Sequence, residues 1–390
     1  MIYRDILLHI LKTIYIFQVI QVFDICHVRV DRTQWNRVRC ILLPILKECM
    51  LSEEDIEVLE KITAIVRTNS VDLPHQRLGD TDRDCVALGY AVFPFFSLLN
   101  HNCMANCRYH IGPDNKTITV RAMRPIKKGE EISISYIGVT LANIIRKKSF
   151  QRHWRFSCAC KRCQDPSELG TYLQSIRCRV CKDNENDGFM LPVYQHKNEE
   201  ADSVADNSEE LWSCEQCSNT MDDLKVRIRL GDILQKTEFI GYEQSSETWE
   251  GLLRELQTEL LHPNNYLCMN IKRSLIYIYG NKETFDHSKD MKKISRKLEL
   301  CRNYLDVYSK VDVGYSSWKG KLLEEMVGPM ILLSKMKLVN GDIDQAGFLE
   351  CYKESVRLIK EAAKCRQYEP ENSGNFLGWC IKEANDALTV

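Results

Sequence analysis

The sequence predicts an α+β protein: a short-stranded β region with inserted helices and cysteine clusters, followed by an all-helical C-terminal half. Three observations carry this. Thr117-Ile118-Thr119-Val120-Arg121-Ala122 alternates as a strand does, Pro125 and Lys127-Lys128-Gly129-Glu130 make a turn, and Ile132, Ile134 and Tyr136 then fall on one face. From Val226 to Val390 apolar residues recur almost throughout at helical spacing. Eighteen cysteines collect into CxCxxC and CxxC groups.

The elements follow in order. Ile6 to Phe23 is apolar and β-branched but interrupted by His9, Lys12, Gln18 and Gln21. A span needs about 20 predominantly apolar residues, so the expected readings are a segment packed on the domain, or a start created by truncation or a misjudged gene boundary, ahead of a membrane anchor or secretory leader. Val38, Ile41, Leu42, Ile45 and Leu46 predict a helix, and Ser52-Glu53-Glu54-Asp55 caps a second one carrying Ile56, Leu59, Ile62 and Ile65. In the C-terminal half, helices are predicted over Trp249–Leu261, from Pro263-Asn264-Asn265 to Tyr279, and over Ile294–Tyr308, Trp318–Val339 and Ile343–Ala363. Their length and pairing suggest a tetratricopeptide-like array, without a clean repeat of about 34 residues.

The cysteines carry the chemistry. Cys158, Cys160 and Cys163 converge on one point, which suits a metal, and tetrahedral zinc takes four ligands. Cys103, in Asn100-His101-Asn102-Cys103, is the candidate fourth ligand, tying that segment to the end of the domain. Cys178-x-x-Cys181 and Cys214-x-x-Cys217 form a second predicted site, closed by four thiolates and therefore structural. Ordinary reduced thiols remain the alternative for the first group and for Cys103. The acidic stretch between Cys181 and Cys214 is expected to be a flexible loop.

These motifs resemble those of SET-domain protein-lysine methyltransferases. Asn100-His101-Asn102-Cys103 is similar to their Asn-His-Ser-Cys signature, and Glu130-Glu131-Ile132-Ser133-Ile134-Ser135-Tyr136 to their glutamate-rich strand ending in the catalytic tyrosine. Phe156-Ser157-Cys158-Ala159-Cys160-Lys161-Arg162-Cys163 resembles the post-SET zinc segment of the SET-and-MYND (SMYD) branch. The run from Asp165 to Cys217 and His262-Pro263-Asn264-Asn265-Tyr266-Leu267 look like its arthropod members.

The resemblance implies methyl transfer from S-adenosylmethionine to a lysine amine of a histone or non-histone protein in transcriptional regulation. It makes Tyr136 catalytic, with Asn69, Ser97, Asn100, His101, Tyr136 and Phe156 holding the donor and two zinc ions as structural cofactors. Two departures are local: Asn102 stands for serine and Ala105 for proline before Asn106, which predicts a looser knot. The sequence contains no MYND finger and no glycine-x-glycine strand pair, features that the family has before the helical insert. Two further readings therefore stand beside the enzyme: a degenerate SET fold acting as a zinc-stabilised protein-interaction module, and a fragment of a longer enzyme.

The expected map is an apolar segment (1–25), helical insert (26–66), SET core with post-SET zinc segment (67–164), second zinc segment with acidic loop (165–224) and tetratricopeptide-like domain (225–390). At 390 residues the chain is long enough for real cores, and a net charge of −1 offers no field for nucleic acid. Clustered thiols point to a reducing compartment, cytoplasm or nucleus. A monomer is expected, meeting a protein substrate or partner through its helical domain.

Overall fold

The computed structural model describes residues 61–62, 64–73, 89–112, 114–194, 211–240, 245–280 and 290–367. Most of the predicted helical insert and the apolar N-terminal segment lie outside these residues. At its end, residues 64–69 are helical and Ile65 is buried.

The β region consists of three two-stranded pairs. β1 (Ser70–Leu73) runs antiparallel to β2 (Gly89–Val92). β3 (Asn100–His101) is followed by the hairpin of β4 (Cys107–Ile111) and β5 (Ile118–Ala122), the latter matching the predicted strand. The Asp114 carboxylate shapes the hairpin turn by accepting from the peptide N–H groups of Lys116 and Thr117 and from the Thr117 hydroxyl. β6 is only Ser133–Ile134 and pairs in parallel with β3, Asn100 opposite Ser133 and His101 opposite Ile134.

That shortness corrects the expectation of one apolar face over Ile132, Ile134 and Tyr136. Ile132 is 50% exposed while Ile134 and Ser133 are buried. The side chain of buried Asn106 explains this, because its Oδ1 accepts from Ser133 N (3.0 Å) and its Nδ2 donates to the Glu131 carbonyl (2.8 Å). A side chain takes the place of a neighbouring strand, so burial follows Asn106 rather than strand alternation.

Helix α1 (Asn143–His153) and the short α2 (Lys161–Gln164) follow. Then comes an antiparallel sheet in the order β10-β9-β8-β7, made of β7 (Ile176–Arg177), β8 (Phe189–Val193), β9 (Leu211–Cys214) and β10 (Thr220–Asp222), with α3 (Arg179–Asp183) after β7. Strand β8 corrects the idea that everything between Cys181 and Cys214 is loop: Met190 is fully buried beside Trp212 in the same core. Met190 and Pro192, the two buried residues of Phe189–Val193, suffice to seat a strand in an otherwise acidic stretch. The part over 195–210 lies outside the described residues.

The remaining helices are α4 (Asp223–Ile240), α5 (Ser246–Glu255), α6 (Tyr266–Ile278), α7 (Met291–Val311), α8 (Ser317–Val339) and α9 (Gln345–Arg366). A π-helical turn, Leu256–Leu260, closes α5. Their starts are written in the sequence: Asn265, Asp290, Ser316 and Asp344 each accept a peptide N–H from the first turn of the helix they precede. From α5 to α9 each helix packs on its neighbour in sequence.

One continuous core runs from Ala142 to Ala362, joining α1, the four-stranded sheet and the helices. Main-chain bonds reinforce the joint: Tyr266 N donates to the Leu173 carbonyl (2.7 Å) and His262 N to that of Ser175 (3.2 Å). The loop between α7 and α8 also touches the β region. Gly314, at φ 104°, lies so close to the Met123 carbonyl that a Cβ there would sit 2.3 Å from its oxygen. No helix among the described residues is long and apolar enough to cross a membrane.

Candidate functional site

The parallel pairing of β3 with β6 threads the Asn100–Cys103 segment beside the strand that ends at Tyr136. Asn102 N extends the pairing by donating to the Ile134 carbonyl (3.0 Å). The two local departures leave this knot closed. Asn102 Oδ1 accepts from Met104 N (2.8 Å), and Ala105 is buried ahead of the well-bonded Asn106.

The knot opens onto a cleft of about 1490 Å³. All six residues expected to hold a donor line it: Asn69, Ser97, Asn100, His101, Tyr136 and Phe156. Several of their polar groups already have partners. Asn69 Nδ2 donates to the Ile65 carbonyl (3.0 Å), the Ser97 hydroxyl to that of Phe93 (3.0 Å), and Asn100 Nδ2 to Glu131 Oε1 (2.7 Å). The Tyr136 hydroxyl donates to the Leu99 carbonyl (2.6 Å), which strengthens its oxygen as an acceptor.

Aromatic rings form one wall. Tyr136 lies 5.2 Å from Trp154 and 6.3 Å from Phe156, and Phe156 stacks on buried Phe150 at 5.0 Å. Trp154 lines the cleft too and is pinned by its indole N–H to the Thr68 carbonyl (3.0 Å), yet sequence reasoning passed over it. The signal available was an aromatic two residues before Phe156 at the end of an unpredicted helix.

Behind this wall sits the first cysteine cluster. The sulfurs of Cys103, Cys158, Cys160 and Cys163 all lie within 4.8 Å of one another, with Cys103 at 3.4 Å from Cys163 and 3.9 Å from Cys158. Zinc–sulfur bonds of about 2.3 Å in a tetrahedron place sulfurs about 3.8 Å apart, so the donor set fits zinc. Protons are shared unevenly in the cluster. Hydrogen bonds from Cys103 hold the Cys158 thiol far below its ordinary value and bring Cys160 down to about 6, while Cys103 is pushed up.

A charged layer supports this cluster. Arg146 Nη2 reaches Cys163 Sγ (3.4 Å), and its Nη1 pairs with Glu168, which is also held by Arg162 (3.0 Å). All three side chains are buried. Burial opposes the Arg146 charge, but Glu168 and the neighbouring cysteines more than offset it and raise the guanidinium. The other Glu168 oxygen accepts from Asn143 N (2.8 Å) and so caps α1. This network was not foreseen either.

The second cluster joins Cys178, Cys181, Cys214 and Cys217, again within 4.8 Å, with Cys178–Cys217 and Cys181–Cys214 both at 3.6 Å. It too fits zinc, and the packing agrees: a Cβ on Gly188 would sit 2.5 Å from Cys181 Sγ and 2.9 Å from Cys214 Sγ. Its surroundings are neutral amides. Gln216 N donates to Cys214 Sγ (3.4 Å), and the peptide N–H of Asn219 holds exposed Cys217 down to about 7.

Residues 16–137 match the SET domain family model. The chain is 30% identical over 199 residues to the SET domain-containing protein SmydA-8, isoform B, of Drosophila melanogaster, covering 50% of this chain and 40% of that protein. It is 28% identical over 234 residues to the human histone-lysine N-methyltransferase SMYD1 (54% of this chain, 46% of that protein). With the histone-lysine N-methyltransferase ASHR1 of Arabidopsis thaliana it shares 25% over 235 residues, 57% and 43% of the two chains. The matched stretches thus span less than half of these relatives. The threaded knot and the tyrosine at its exit lie within this match and the cysteines after α1 lie beyond it, so the chain carries a SET domain and is similar to SMYD proteins.

Proposed function

We propose that the chain is a protein-lysine methyltransferase using S-adenosylmethionine, with both cysteine clusters holding structural zinc. The observation that carries the reading is the convergence of Asn69, Ser97, Asn100, His101, Tyr136 and Phe156 on one cleft through the β3–β6 pairing. The residues present fit the donor: Asn69, Ser97, Asn100 and His101 would offer polar groups to its amino-acid and adenosine parts, and the rings of Tyr136, Trp154 and Phe156 would suit its sulfonium. When bound, the donor supplies an activated methyl group. The chain supplies alignment and dryness. Phe156 and Trp154 exclude water and disfavour an ammonium, so a lysine amine entering between them loses its proton more easily. The Tyr136 oxygen accepts from that amine and fixes its direction. Cys103, Cys158, Cys160 and Cys163 would hold one zinc, tying the knot to the segment carrying Phe156; Cys178, Cys181, Cys214 and Cys217 would hold the other.

Helices α4 to α9, a tetratricopeptide-like array on this reading, form the surface that meets a protein substrate or partner. A histone substrate fits the names of two relatives, and the clustered thiols fit a nuclear or cytoplasmic site of action. One observation favours a second reading, a SET fold that acts only by binding proteins: the amides of Asn69 and Asn100 are committed to Ile65 and Glu131. Calorimetric titration with S-adenosylmethionine and methyl transfer onto histones and lysate proteins distinguish the two. Micromolar binding, with turnover lowered at least a hundredfold in Tyr136→Phe, is expected. Absence of binding up to millimolar donor makes the binding-module reading the correct one.

A further inference from the structure

His101 occupies a position that donor contact alone does not explain. Its ring lies between the Tyr136 main chain and the first cysteine cluster. The peptide N–H of Tyr136 points at Nδ1 from 3.0 Å, and Nε2 lies 3.2 Å from Cys103 Sγ. A peptide N–H can only donate, so Nδ1 is the acceptor and carries no proton. The ring proton is therefore on Nε2 and aims at the sulfur, a tautomer assigned by the partner on the opposite side of the ring. Packing leaves the ring little freedom, with Phe150 at 4.4 Å, Tyr136 at 5.2 Å and Phe156 at 6.0 Å. The β3–β6 pairing fixes its backbone opposite Ile134.

We infer that His101 is a positioning residue that couples the Cys103 cluster to Tyr136, so that the metal centre sets the placement of the methyl-transfer tyrosine. This rests on the reading of Tyr136 as catalytic and of the cluster as a zinc site. The physical basis is the rigidity of imidazole. A sulfur held by a cation accepts the Nε2–H bond and keeps its position; the ring then presents Nδ1 to the Tyr136 amide at a fixed place and angle. Loss of the sulfur partner frees the ring about χ2 and removes the anchor for the main chain of Tyr136. Arg146 supports the same cluster through Cys163 (3.4 Å). His101 bonds both the tyrosine and the cluster.

Three measurements test the coupling. In the native protein with 15N-labelled histidine, one ring with the proton on Nε2 and an accepting Nδ1 is expected at His101, identified by its loss in the variants; a proton on Nδ1 overturns the assignment. In His101→Asn, Oδ1 can replace Nδ1 while the sulfur donor is lost. One of the two zincs should then leave to a chelator about tenfold faster, the effect usual for partners of metal ligands, with the other unchanged. Parental release of both overturns the sulfur half of the inference. In His101→Gln the amide can still reach the sulfur but no longer accepts from Tyr136. Zinc release should stay within twofold of the parent while kcat falls at least tenfold, and a parental kcat overturns the tyrosine half. Should the native protein show no turnover, the catalytic reading fails while the tautomer and zinc release still decide whether the ring holds the cluster. Should His101→Asn not fold, the native tautomer and His101→Gln decide it.

Discussion

The two cysteine clusters have the same ligands and similar sulfur spacing but are built in different ways. The second is local: its ligands come from two knuckles bracketing one small sheet, and its hydrogen-bond donors are neutral amides. The first is assembled across the domain, with Cys103 from the knot meeting three ligands beyond α1, and it is lined by an imidazole and a buried guanidinium. Four thiolates around a divalent cation carry a net charge of −2. At the first cluster Arg146 opposes that charge, in a layer where Glu168 and Arg162 are also buried. At the second, exposure of Cys217 to water does so. One cluster therefore stabilises the cleft and the other the platform on which the helices dock, and removing one ligand from each should give different failures.

The largest effect is expected there. Elemental analysis should find two zincs in the native protein. Cys160→Ser should lose one, together with donor binding and several kcal/mol of stability, because metal binding is coupled to folding. Cys181→Ser should also lose one zinc but keep a cleft that binds the donor, while protease cuts first near the sheet. If both variants lose donor binding equally, the division of labour between the clusters is wrong.

Arg146→Met tests the charged layer. It leaves Glu168 with one guanidinium partner instead of two and removes a donor from Cys163. Breaking such a buried pair costs about 3–5 kcal/mol, readable as a shift in the denaturation midpoint. The second cluster should keep its zinc throughout. Gly188→Ala is the mirror experiment. Its Cβ would press on Cys181 and Cys214 from 2.5 and 2.9 Å, and overpacking of this kind costs about 1–3 kcal/mol. Here zinc release should accelerate at the second cluster only.

How legible these regions were in the sequence follows the same division. The second cluster is written in short spacings, so its ligands could be read directly, as could the helices whose caps and periodicity agree. The first could be read from CxCxxC and the Asn-His-Asn-Cys segment, but nothing in its supporting layer could. Helix α1, Asn-Ile-Ile-Arg-Lys-Lys-Ser-Phe-Gln-Arg-His, looks like an exposed basic stretch, because burial of Arg146 depends on Glu168, a residue in an irregular segment. Nor does local alternation reveal β6, where Asn106 decides which residues face inward. Local signals pick out the cysteines that converge; long-range polar pairing, which hydrophobic periodicity does not encode, determines how one cluster is supported.

The smallest effect concerns pH and the platform of the second cluster. His262 stacks on Tyr172 at 4.6 Å and meets Phe189, from β8, at 4.5 Å, while its Nδ1 accepts from Asn264 N (3.0 Å). Burial, then Lys272 and Arg177, lower its pKa to about 4 from an ordinary 6.5. The unfolded chain therefore binds this proton first as the medium is acidified. Stability is complete above about pH 6.5 and declines as pH falls toward 4, by about 2 kcal/mol at pH 5 from this residue. Thiolates protonate in acid as well, so the parent must be compared with His262→Phe, which keeps the ring stacking and cannot titrate. That variant should be less stable at pH 7, having lost the acceptor for Asn264, but its denaturation midpoint should fall less steeply between pH 7 and 5. Parallel slopes in the two proteins would assign the acid sensitivity of the platform to the sulfurs alone, and the histidine would then be only a packing ring.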